Sequence, residues 1–150
     1  MTVVDSRQLA LRRQNVAPSY ATGFGQLPFL DLLRGVWRGA QSVAVIPQRV
    51  AEALGTDATE LKLSTHTVLK QLRRHPEIGA SEYRMVQRVL DVGEVYRDRE
   101  NHVAVLKVGR RNLEVVAKRT QDDAEVYLVS LRYVNPKWVA KRRKKGAGRT

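Results

Sequence analysis

The spacing of apolar residues changes period once along the chain, close to Gly93. Before it, apolar positions recur about every three to four residues; after it, they alternate. Residues 6–14 read as one short helix, because Ala17-Pro18-Ser19 and Gly23-Phe24-Gly25 break anything longer. Over residues 28–37, Phe29, Leu30, Leu32, Leu33, Val36 and Trp37 fall at helical spacing, with Pro28 in a first-turn position and Gly39 as a stop. Ser42-Val43-Ala44-Val45-Ile46 is a strand or an extended connector. Pro47 starts a helix with Val50, Ala51 and Leu54 inward, and Gly55 ends it. Leu61-Lys62-Leu63 alternates as a strand of minimal length. Ser64 or Thr65 caps a helix over 65–74 whose core stripe is Val68, Leu69 and Leu72. His75-Pro76 ends it, since a residue before proline avoids the helical region. Ser81 caps another helix through Leu90, and Gly93 stops it.

Beyond Gly93, four segments alternate: 94–97, 102–108, 112–120 and 124–134. Their turns are Asp98-Arg99-Glu100-Asn101, Gly109-Arg110 and Gln121-Asp122-Asp123. Loops this short dictate an antiparallel meander. Asn135 caps a last, very basic helix from Pro136 to about Lys145. The expected fold is α+β: N-terminal helices, a four-stranded antiparallel meander sheet with helices on one face, and a basic C-terminal helix. The chain divides into an arm with docking helices (1–60), an α+β domain (61–135) and a basic tail (136–150).

Alternation sorts the last two strands into faces. Leu113, Val115 and Ala117 point one way; Glu114, Val116, Lys118 and Thr120 point the other. On the next strand Tyr127, Val129, Leu131 and Tyr133 form the apolar face, and Val126, Leu128, Ser130 and Arg132 the opposite one. With the apolar faces against the helices, Lys118, Thr120, Ser130 and Arg132 gather on the other side of the sheet. The same residues also suit an ordinary half-solvated sheet face.

The net charge of +12 points to a polyanionic partner, most often nucleic acid. Seven of the 27 basic residues follow Pro136, which leaves +5 for the rest of the chain. That tail, with Lys141, Arg142, Arg143, Lys144 and Lys145, suits unspecific phosphate contacts. With no cysteine, disulfides and thiolate metal sites are excluded. The three histidines, His66, His75 and His102, lack metal-ligand spacing, so neither a metal nor another cofactor is expected. No apolar run approaches the roughly 18 residues of a membrane span, and residues 1–7 lack the order of a signal peptide. A cytoplasmic location is expected.

One set of residues carries a resemblance. Leu63-Ser64-Thr65-His66-Thr67-Val68-Leu69-Lys70, His75-Pro76-Glu77, Tyr83, Val115-Val116-Ala117-Lys118-Arg119-Thr120 and Glu125-Val126-Tyr127-Leu128-Val129-Ser130-Leu131-Arg132 occur in that order. Together they resemble the phage-associated branch of the barnase–EndoU–colicin E5/D–RelE nuclease-like domains, over about residues 61–135. The resemblance implies two helices followed by a four-stranded antiparallel sheet, and metal-independent RNA cleavage by attack of the ribose 2′-hydroxyl on the adjacent phosphate. It implies His75 or His66 as the acid or base, Lys70 and Lys118 on the developing charge, and Thr120 and Ser130 on the phosphate, with Arg132 in support and Arg119 adding charge. It also implies a phage or prophage origin, a virion-associated location as the alternative to the cytoplasm, and RNA, including transfer RNA, as substrate.

Three readings follow. The first is a ribonuclease or toxin, with which an immunity protein would fit. The second is a non-catalytic phage structural protein that keeps the nuclease-like fold and docks on its neighbours through residues 1–60. The third is a basic nucleic-acid-binding module.

Overall fold

In the computed structural model, residues 40–122 and 125–147 are described. The expected helices at 6–14 and 28–37 lie outside them. The chain order is β1 (Ala40–Val45), α1 (Gln48–Leu54), β2 (Glu60–Ser64), α2 (Thr65–Arg74), α3 (Ala80–Arg84), α4 (Val86–Val92), β3 (Glu94–Arg97), β4 (His102–Lys107), β5 (Asn112–Arg119), β6 (Val126–Val134) and α5 (Pro136–Ala147).

The class is α+β, and the antiparallel meander β3-β4-β5-β6 is present, but it is not the whole sheet. The sheet has six strands in the order β1-β2-β6-β5-β4-β3. β1 and β2 form an antiparallel pair, and β2 joins the meander by pairing parallel to β6 through Leu61↔Val126 and Lys62↔Tyr127. The four-stranded expectation is therefore corrected to a mixed six-stranded sheet. The two early segments are too short to announce a sheet of their own, and their pairing is between residues far apart in sequence.

Local signals explain most boundaries. Gly55 ends α1 at φ 69°, a left-handed conformation that glycine adopts without a Cβ penalty. The Ser64 hydroxyl accepts from Thr67 N at 3.1 Å and caps α2. Asn135 Oδ1 accepts from Trp138 N at 2.8 Å and caps α5. The expected single helix from Ser81 is two: α3 and α4 break at Met85, and the first cap is Gly79, whose N–H donates to Glu82 Oε1 at 2.7 Å.

Helices α1 to α4 cover one face of the sheet and share a single core with it, built on Leu61, Leu63, Leu113, Val115, Leu128 and Leu131 from the strands. Leu69, expected in this core, is 49% exposed; Gln71 takes the inward position. The assignment of faces on β6 is also corrected. Val126 and Leu128 are buried in the helix-side core, and Tyr127 faces the other way. Between Val116↔Ser130 and Ala117↔Leu128 the register shifts by one residue. This bulge resets the alternation, so that Leu131 returns to the core, as strict alternation expected. Beyond Tyr127, β6 runs on without β2 beside it. Two side chains of α2 serve its carbonyls: Lys70 Nζ donates to Val129 O at 2.8 Å and Gln71 Nε2 to Leu131 O at 2.6 Å.

The second face of the sheet carries α5 at one end. Glu114 of β5 is 0% exposed there and accepts from Trp138 Nε1 at 2.7 Å and Arg142 Nε at 3.1 Å. Arg142 Nη1 also donates to Asp98 Oδ1 at 2.7 Å. Arg143 grips Glu94 with two bonds of 2.9 and 2.6 Å.

Candidate functional site

The strand registers place five polar residues in one line across the second face. Ser42 pairs with Lys62, Lys62 with Tyr127, Tyr127 with Lys118, and Lys118 with His102. Residues opposite each other on neighbouring strands share a face and lie about 5 Å apart. A hydroxyl, two amines, a phenol and an imidazole therefore form a transverse row over β1, β2, β6, β5 and β4. Among the described residues, no helix is packed across it. Lys118 is exposed; the other four are half-buried.

The row is partly wired. Lys62 Nζ donates to Glu125 Oε1 at 3.0 Å, and Tyr127 Oη to Glu125 Oε2 at 2.5 Å. The hydrogen bond to Glu125 holds the Lys62 ammonium above its ordinary value, against the opposing effect of burial. Hydrogen bonds from Tyr127 and then Lys62 hold the Glu125 carboxyl below its own. The Glu125 hydrogen bond, then burial, raises the Tyr127 phenol. At neutral pH the trio is thus an ammonium, a carboxylate and a protonated phenol. At the other end of the row, His102 Nδ1 lies 2.7 Å from Glu100 O. A carbonyl only accepts, so Nδ1 carries the hydrogen, and the neutral ring presents Nε2 as a base. A cleft of about 480 Å³ opens on the helix-bearing side of this end of the sheet, where the C-terminus of α1 (Leu54, Gly55) meets Arg97, Asn101 and Arg119.

The residues singled out by sequence divide between the two sides of the sheet. Lys118, Ser130 and Arg132 share the second face, as expected, though through the shifted register: Ser130 is opposite Val116 and Arg132 opposite Glu114. Thr120 lies just past β5 and closes the hairpin turn, donating to Asp122 Oδ1 at 2.6 Å and accepting from Glu125 N at 3.2 Å. His66 and Lys70 lie on α2 and His75 caps its C-terminus, on the helix-bearing side. His66 is exposed, and His75 Nδ1 is 3.4 Å from Glu77 Oε1. Burial, then the charge of Arg74, lowers the Lys70 ammonium, whose hydrogen bond goes to Val129 O. The structure does not bring these three to Lys118.

The basic candidates divide as well. Arg119 Nη2 donates to Asn101 Oδ1 at 2.6 Å, and its backbone N–H to Asn101 O at 2.8 Å; it fastens the β3–β4 turn, where Asn101 has φ 62°. Arg142 and Arg143, expected on phosphate, are held by Glu114, Asp98 and Glu94. Lys141, Lys144 and Lys145 are exposed, as is Lys137.

Sequence reasoning missed Lys62, Glu125, Tyr127 and His102 as site residues. Lys62 had a signal, as the lone outward residue of Leu61-Lys62-Leu63. Tyr127 was hidden by the bulge. Among the described residues, no group of His, Asp or Glu is arranged to hold a metal ion, and no helix is long and apolar enough to cross a membrane. Comparisons with protein-family models, with curated proteins and with solved structures found no match to this chain.

Proposed function

We propose that this domain binds RNA on the second face of its sheet and cleaves it without a metal, with the reacting phosphate seated over Lys118. The observation that carries this reading is the row His102–Lys118–Tyr127–Lys62. Attack of a 2′-hydroxyl on the neighbouring phosphorus is an in-line displacement. It needs a base on one side of the phosphate, a proton donor on the other and a cation between them. The row has that order. His102 Nε2 takes the 2′-hydroxyl proton as the 2′-oxygen bonds to phosphorus. Lys118 stabilises the added negative charge. The bond to the 5′-oxygen breaks, and the Lys62–Glu125–Tyr127 cluster returns a proton to it. The products are a 2′,3′-cyclic phosphate and a 5′-hydroxyl. This moves the catalytic base from His75 or His66 to His102 and retains Lys118.

The test is incubation with total RNA and with transfer RNA in EDTA. Cleavage is expected to survive EDTA, to leave cyclic phosphate ends and to fall about 10²- to 10³-fold in Lys118→Ala. His75→Ala should cleave like the parent protein. The opposite pattern, loss in His75→Ala and none in Lys118→Ala, would place the chemistry on α2 instead. A second reading, binding without cleavage, is favoured by one observation: Lys137, Lys141 and Lys144 are exposed on one stripe of α5, an electrostatic footprint that needs no chemistry. Absence of cleavage together with steeply salt-dependent binding would establish it.

A further inference from the structure

A second feature lies on the α5 side of the sheet, away from the row. Where β6 passes into α5, a groove of about 420 Å³ is lined by Arg132, Tyr133, Asn135, Lys137, Trp138 and Lys141. It holds three cations and no carboxylate. Its aromatic ring is Trp138, with Arg132 Cζ 4.6 Å and Lys141 Nζ 5.4 Å away; the Tyr133 ring turns to the helix-bearing side, where its hydroxyl donates to Glu82 Oε2 at 2.9 Å. The pairing Asn112↔Val134 sets the β4–β5 turn beside the groove, with Arg110 and Arg111 exposed on it.

Arg132 is only loosely held. Its bond to Glu114 is long, at 3.4 Å, because Glu114 already receives Trp138 and Arg142 at shorter range. Its Nε is buried without a hydrogen-bond partner. An anion in the groove would meet the outer part of this guanidinium, whose side chain is 33% exposed. Cations set around an aromatic ring are a combination that holds a nucleic-acid strand whose bases are unpaired.

Resting on the reading of the row as an RNA site, we propose that this groove is a second subsite of the same surface, which takes a distant phosphate and base of a single-stranded RNA. Arg132 lies opposite Glu114, four residues along β5 from Lys118. That separation is about 14 Å, within a site of roughly four nucleotides or more. The substrate is then a single strand long enough to cover both places. A duplex keeps its bases stacked away from Trp138, and a dinucleotide reaches only one of the two subsites.

Binding is measured with RNA analogues methylated at every 2′-oxygen, which cannot be cleaved by 2′-hydroxyl attack. Two-nucleotide and eight-nucleotide single strands and an eight-pair duplex are compared by fluorescence anisotropy at several salt concentrations. The eight-nucleotide strand is expected to bind more than about tenfold tighter than the dinucleotide and the duplex. The double variant Lys137→Ala, Lys141→Ala alters exposed positions only and should flatten this length dependence. It should also reduce the salt slope by about 0.7 for each phosphate that is no longer neutralised. Lys137→Arg with Lys141→Arg should restore both. Equal binding of short and long strands, equal binding of the duplex, or an unchanged length dependence in the double variant would each overturn the proposal. Since no cleavage is involved, a protein that never cuts RNA can still pass, and a protein that cuts RNA can still fail.

Discussion

One face of the sheet holds two ends made of similar residues and finished in opposite ways. At the α5 end, Glu114 and Arg142 are buried, and Asp98, Glu94, Trp138 and Arg143 complete a connected set of bonds. At the other end, Lys62, Glu125 and Tyr127 bond among themselves, but Lys118 beside them is exposed. Arginine and carboxylate fork together at the first end, where the task is to hold a helix down. Lysine, with a mobile point charge, stands at the second, where an incoming anion would be met. A count of basic residues treats the two ends as one positive patch. Burial separates them, and the separation decides which cations remain for a partner.

That contrast is broken most directly at Arg142, which is 8% exposed. Replacing it by alanine leaves Glu114 buried with the longer contact to Arg132 and the indole N–H of Trp138. Removing one partner of a buried ion pair costs about 3–5 kcal/mol. The expected result of Arg142→Ala is a loss of that order in urea unfolding. Lys118→Ala should change stability by less than about 0.5 kcal/mol, as exposed substitutions do. If the two variants lose the same amount, the ends do not differ in the way described.

The next effect in size tests the helix-bearing side. Gln71 is buried, and its amide donates to Leu131 O beyond the point where β2 leaves β6. Gln71→Leu fills a similar space but leaves that carbonyl without its donor, at a cost of about 1–3 kcal/mol. Lys70→Met removes the neighbouring bond to Val129 O. That group is less buried than Gln71. The expected order of destabilisation is Arg142→Ala, then Gln71→Leu, then Lys70→Met, read from urea midpoints at constant slope. A loss of RNA cleavage in Lys70→Met without loss of stability would return Lys70 to the catalytic set.

Much of this fold is legible in the sequence because its signals are local. The change of period near Gly93, the caps at Ser64 and Asn135 and the stop at Gly55 each depend on a few neighbouring residues. Gly93 has a further reason to be glycine: a Cβ there would stand 2.5 Å from Val89 O and 2.8 Å from Val105 Cγ1. What stayed hidden depends on distant partners. The parallel pairing of β2 with β6 rests on two registered residue pairs and joins segments more than sixty positions apart. The bulge at Val129 adds one residue without any turn signal, and it alone moved Tyr127 to the wrong face. The face of Lys118 was legible because it lies on β5, whose alternation the bulge in β6 leaves intact. His102 was visible but had no neighbour until β4 was set beside β5.

Acid sharpens the comparison with the smallest effect. Hydrogen bonds from Arg143, against burial, hold the Glu94 carboxyl below its ordinary value. At Asp98, burial favours the neutral form, but the hydrogen bond and charge of Arg142 outweigh it and the carboxyl is again lowered. Groups lowered on folding contribute stability above their unfolded values, and that contribution is lost as pH falls through the folded ones. Both bonds should therefore be intact near neutrality and fail only below the ordinary carboxylate range, about pH 4. The reporter is Trp138, observed alone in a Trp37→Phe background, since the chain has two tryptophans. Its fluorescence should stay constant from neutral pH down to that range and then change as α5 loosens. In Arg143→Ala the Glu94 carboxyl loses its main source of depression, so this bond's share of the seat is absent at every pH, while the Asp98 transition keeps its place. Glu125 is also held low, so acid releases Lys62 and Tyr127 as well, but that event lies at the other end of the face. RNA affinity that changes in step with Trp138 in both the parent and Arg143→Ala would mean that the two ends are coupled. Separate transitions are the expected outcome. The two ends share strands, but Glu125 is held by Lys62 and Tyr127, whereas Asp98 and Glu94 are held by Arg142 and Arg143.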